Sequence, residues 1–75
     1  MVKLVNIRKD GNVICVDCYA EGKDYFYLEI NAENFEILVN SANEMNSYVF
    51  HAIHTIKKYV DAGEKLPSSA LSVWY

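Results

Sequence analysis

Two short motifs in this chain have the residue types of a metal site. Cys15-Val16-Asp17-Cys18 is a C-x2-C, and His51-Ala52-Ile53-His54 is an H-x2-H. Zinc is commonly held in a tetrahedron by two such pairs. Convergence depends on the elements that carry the ligands. Residues three apart on a strand project to opposite faces, so a strand through this segment sends the two sulfurs apart. On a helix, His51 and His54 lie about 300° apart, close enough to share a ligand. Both fall opposite the apolar stripe described below, with His54 directly opposite its centre. The motifs therefore read as reduced cysteines packed as small hydrophobes and as surface histidines. No metal and no cofactor is expected.

Other chemistry fares no better. A thioredoxin-like C-x-x-C needs a helix N-terminus to lower a thiol pKa, whereas this one falls inside a strand pattern. Cys15, His51 and Asp17 have the types of a nucleophile, base and orienting acid, but nothing in their spacing brings them together. The acidic residues are dispersed, with no pair placed for general acid–base work. The three Gly fall at turns or caps, so no phosphate-cradling loop is present. No catalytic residues are expected, and the chain reads as a non-enzyme.

The elements that would position these residues are legible in the periodicity. Val2 to Arg8 and Val13 to Ala20 are strand-like, with Asp10-Gly11 between them as a two-residue hairpin turn. That turn sets Lys9 opposite Asn12, Ile7 opposite Ile14 and Val5 opposite Val16. Val5, Ile7, Ile14, Val16 and Cys18 then share one apolar side. After the polar break at Glu21-Gly22-Lys23, Asp24 to Ile30 alternates: Phe26, Leu28 and Ile30 on one side, Tyr25, Tyr27 and Glu29 on the other. Phe35 to Val39 is predicted as a fourth strand, with Phe35, Ile37 and Val39 together. The period then changes to 3.6. Ser41-Ala42-Asn43-Glu44 has the form of a capping box, and Met45, Val49, Ala52, Ile53, Ile56 and Val60 make one stripe. Gly63 and Pro67 end the helix, which is placed at 42–62. Phe50 lies off the stripe. Leu71 to Tyr75 is apolar enough to dock as a short edge strand. The fold expected is α+β: a four-stranded antiparallel meander, one C-terminal helix packed on one face, and a docked tail, all in a single domain over 1–75.

Composition bounds function. The chain has 75 residues, enough for one core, and its 52% apolar content excludes intrinsic disorder. The net charge is −3 and the seven Lys and Arg are scattered, which argues against nucleic acid, whose binders concentrate basic residues. No run reaches the roughly 18 apolar residues that span a bilayer. The N-terminal apolar run is too short for a signal peptide, so a cytosolic protein with reduced Cys is expected.

Ser47-Tyr48, His51-Ala52, Ile56, Pro67 and the terminal Val73-Trp74-Tyr75 resemble the closing pattern of a family of short uncharacterised bacterial proteins. In that family, N-terminal strands precede a Tyr-x-x-His-Ala helix, a Pro and a final Trp-Tyr. The resemblance implies a contact between His51 and Trp74, and no activity.

What remains is an apolar surplus. One helix covers one face of the sheet. The alternation leaves Val2, Leu4, Val13, Cys15, Tyr19, Tyr25, Tyr27 and Leu38 on the other, where such a patch marks an interaction surface or is covered by the C-terminal tail. The expectation is a protein-interaction module, homodimeric, binding through Leu4, Val13, Tyr19, Tyr25, Tyr27, Trp74 and Tyr75 or through a strand edge. The alternatives are a metal or small-molecule site using His51 with neighbouring Cys or Tyr, and an inhibitor of a larger protein.

Overall fold

The computed structural model describes residues 1–21 and 24–73. In chain order these form β1 (Val2–Asp10), β2 (Val13–Ala20), β3 (Tyr25–Asn31), β4 (Ile37–Asn40), α1 (Ser47–Asp61) and β5 (Ala70–Ser72). The strands make one five-stranded sheet in the order β4-β3-β2-β1-β5, with every neighbouring pair antiparallel. The first four strands are thus a meander, and the tail adds the fifth at the edge of β1.

The register of β1 departs from the sequence reading in two places. Asp10 pairs with Val13, so the turn is Gly11-Asn12 rather than Asp10-Gly11. Gly11 has φ +60, and Asn12 is not among the positive-φ residues. A positive φ at the first central residue alone is the type II′ pattern, in which Gly leads. The second departure is a bulge. Val5 pairs with Asp17 and Arg8 with Cys15, so Asn6 and Ile7 together oppose Val16. Asn6 sits at φ 54, the left-handed region that Asn tolerates better than most residues. Its side-chain amide donates to Asp17 Oδ2 at 2.9 Å, and the Ile7 N–H donates to the Ser68 carbonyl at 3.0 Å. One extra residue inverts the parity of everything before it.

Val2 and Leu4 therefore project to the same side as Ile7, and Val5 does not. This corrects the expected arrangement. Val2, Leu4, Ile14, Val16, Cys18, Leu28 and Ile30 are fully buried, and with Ile7, Ala20, Phe26 and the α1 residues Val49, Ala52 and Ile56 they form one cluster. Each large aliphatic side chain removed from water here stabilises the fold by about 1.5–3 kcal/mol. For a sheet this small the cluster is the main source of stability.

The fourth strand is shorter than predicted and carries its own irregularity. Phe35 has φ 60 and lies before the strand. Ile37 pairs with Ile30 and Val39 with Glu29, with Leu38 between them unpaired. Val39 is thereby turned to the side away from the core, where Phe35-Ile37-Val39 alternation had placed it inward. Ser41 continues this edge: its N–H donates to the Tyr27 carbonyl at 3.0 Å, and its Oγ accepts from the Tyr27 N–H at 2.7 Å.

Ser41 is consequently no helix cap. The helix begins at Ser47, and Asn46 caps it, its Oδ1 accepting from the Val49 N–H at 3.0 Å. Asn43 at φ 58 keeps the preceding segment out of the helix. Met45, expected on the buried stripe, precedes the helix and is exposed. At the other end the expected glycine cap is present. Gly63 has φ +69. Its N–H reaches Val60 O and the Glu64 N–H reaches Tyr59 O, each at 3.0 Å, which are the two bonds of a Schellman motif.

Candidate functional site

Register places the side chains of the outer sheet face, the side opposite Leu4, Cys18 and Phe26, in four rows. Leu71, Lys3, Tyr19 and Tyr25 run across the first. Val5, Asp17 and Tyr27 form the second, and Arg8, Cys15, Glu29 and Val39 the third. Asp10, Val13 and Asn31 close the last. Each row is one strand-to-strand line of directly opposed residues, whose side chains lie close enough to interact.

The aromatic residues of this face are anchored by polar partners. The rings of Tyr19 and Tyr25 are 5.2 Å apart and inclined at 53°, a tilted pairing that aromatic quadrupoles favour. The Tyr25 hydroxyl donates to Asp17 Oδ1 at 2.6 Å, and Asn6 donates to Oδ2. These two bonds, with the Arg8 charge adding to them, hold the Asp17 carboxyl below its ordinary value, and the same bond pushes the Tyr25 hydroxyl up. Tyr27 donates to Glu29 Oε2 at 2.5 Å. That bond, seconded by one with the Cys15 side chain, raises the Tyr27 hydroxyl strongly. The Arg8 guanidinium lies 5.9 Å above the Tyr27 ring and donates to the Asn6 carbonyl at 2.8 Å.

The expected interaction residues divide accordingly. Tyr19 is 44% and Tyr25 52% exposed, Val13 and Tyr27 are half-buried on the same face, and these four share one surface. Leu4 does not belong to it: the bulge at Asn6 turns it into the core, where it is 0% exposed. Val2 moves with it. Trp74 and Tyr75 lie outside the described residues, as does the Trp74 end of the expected contact with His51.

The cysteines diverge as strand parity requires. Cys18 is in the core, where burial, followed by the Asp17 charge, pushes its thiol up to about 12. Cys15 lies on the outer face between Arg8 and Glu29, covered to 9% exposure. His51 is half-buried on α1 and His54 exposed. Among the described residues no three His, Cys, Asp or Glu side chains come together in a way that would hold a metal ion. No described helix is long and apolar enough to cross a membrane.

Sequence reading selected the tyrosines by their apolar bodies and passed over the charged residues between them. Asp17 and Glu29 share strand parity with Tyr19 and Tyr27, so the signal for them was present. Arg8 follows the inward Ile7, so its signal was present too; Lys3 and Val5 were concealed by the bulge. The assembled face offers aromatic surface, a cation over a ring and two carboxylates with their acceptor atoms in fixed positions. Comparison of the chain with protein-family models, with curated proteins and with solved structures returns no match.

Proposed function

We propose that this chain is a protein-interaction module: the helix covers one face of the sheet, and the outer face takes a protein partner and does no catalysis. The observation that carries this reading is the Tyr19–Tyr25 pair, half exposed yet held in place through the Tyr25–Asp17 bond. Tyr brings a large amphipathic contact area, and side chains fixed before binding lose little rotamer freedom on contact. Exposed Leu71 and Val39 at opposite ends of the rows extend the apolar area toward both sheet edges.

The test is size-exclusion of a native extract with the chain detected by antibody. Wild type should elute well above its 8.6 kDa mass, and a Tyr19→Asp/Tyr25→Asp variant with an unchanged circular dichroism spectrum should elute as the free chain. A folded variant that stays in the same complex removes the reading.

A further inference from the structure

We infer that the partner is a second copy of this chain, seated face to face across a two-fold axis that runs along β2. This rests on the outer-face reading above and adds the identity of the occupant.

The charge layout carries it. Among the described residues the outer-face cations, Lys3 and Arg8, both stand on β1, whereas Glu29 and the Tyr25 ring stand on β3, with β2 between them. A two-fold axis along β2 keeps each row and exchanges its two sides. It sets Arg8 of one copy over Glu29 of the other, and Lys3 over Tyr25, and repeats both contacts by symmetry, as an isologous interface must. The first is an ion pair and the second a cation over a ring. An axis across the strands leaves Glu29 facing Tyr27 with no cation.

None of these charges is engaged as an ion pair within the chain. The two ion pairs among the described residues, Met1–Glu21 and Lys57–Asp61, involve none of the four rows. A polyanion would meet Asp17 and Glu29, and a strongly basic protein would meet Lys3 and Arg8. A surface that carries both halves of the match is satisfied by itself. Asp17, on the axis, meets its own counterpart, a like-charge contact that the two Arg8–Glu29 pairs must outweigh; its oxygens are also held by hydrogen bonds from Tyr25 and Asn6.

Size agrees. The molecule measures 31 by 23 Å in its two longer directions, which bounds the face at roughly 700 Å², of the order of the ~800 Å² that each partner of a standard interface buries. Two sheets stacked in this way lie about 10 Å apart, the separation that interdigitating side chains fill.

Charge reversal tests the pairing by sedimentation equilibrium on purified chain. Wild type should be a dimer. Arg8→Glu sets Glu against Glu29, and Glu29→Arg sets Arg against Arg8, each twice per dimer, so each variant's Kd should rise about tenfold or more. Mixing the two single variants restores both opposite-charge contacts and should give a 1:1 heterodimer, and the Arg8→Glu/Glu29→Arg double variant should dimerise again. Recovery in the mixture also shows that the single variants are folded. Wild type that stays at 8.6 kDa overturns the inference, as do single variants with unchanged Kd, or folded single variants that fail to pair when mixed. A monomeric wild type whose complex in native extract is still lost in Tyr19→Asp/Tyr25→Asp removes the second copy alone. Loss of neither complex nor dimer in any variant removes the outer-face reading as well.

Discussion

Replacing Leu4 with Ala tests the bulge that organises both faces. Leu4 is 0% exposed and belongs to the core cluster. Truncating a fully buried Leu costs about 2–5 kcal/mol, made up of lost transfer energy and the cavity left behind. A domain of this length has on the order of 4–11 kcal/mol in total, at about 0.05–0.15 kcal/mol per residue, so the loss is a large share of stability. Val5, one position along, is half-buried on the outer face, and Val5→Ala should cost about 1 kcal/mol or less. Without the Asn6 bulge the two positions would exchange roles and the ranking would reverse. Urea unfolding followed by far-UV circular dichroism, at low micromolar protein so that self-association adds little, measures both. Leu4→Ala within about 1 kcal/mol of wild type, or Val5→Ala the more damaging, would refute the register and with it the membership of the outer face.

Asn46→Ala should cost about 1 kcal/mol, since the Val49 N–H loses its acceptor; Ser41→Ala should leave helix content unchanged because Ser41 serves β3. Far-UV spectra and unfolding midpoints of the two variants check both statements. The Cys18 thiol, raised to about 12 and enclosed in the core, should react with a thiol reagent at about pH 8 only as fast as the protein unfolds. Quick labelling of Cys18 in native buffer, read by mass spectrometry of its peptide, would contradict its place. The Asp17 carboxyl is depressed below its ordinary 3.8, first by the Tyr25 bond and then by Asn6. Its contribution to stability is therefore full above the unfolded value and lost as pH falls through the folded one. A carbon NMR titration should put the wild-type midpoint below 3.8 and move it upward in Tyr25→Phe; equal midpoints would show that the hydrogen bond is not the cause.

The parts of this fold governed by strict alternation were legible in the sequence. Phe26, Leu28 and Ile30 face the core with Tyr25, Tyr27 and Glu29 opposite, and the docked tail forms its edge strand. Gly63 ends the helix because it alone accepts the left-handed backbone there without cost. The misplaced strand faces share one cause: periodicity counts residues, and a bulge adds one without changing their types. Asn6 in the left-handed region inverted Val2, Leu4 and Val5, and the unpaired Leu38 inverted Val39. The capping box at Ser41–Glu44 matched a pattern whose Ser41 N–H and Oγ were already engaged by Tyr27 of β3, and Asn46 stood closer to the first buried helical residue. The candidate site was half legible for the same reason. The tyrosines follow from β2 and β3 alone, but Lys3 and Val5 join them only once the bulge in β1 is known.

Oxidative footprinting of the chain across a concentration series addresses the outer-face interface most directly. Tyr19 and Tyr25, 44% and 52% exposed in the single chain, should lose reactivity as concentration rises, and Phe50, 58% exposed on the helix, should keep its own. Protection of Phe50 with Tyr19 and Tyr25 unchanged would place the contact on the helix and contradict the account.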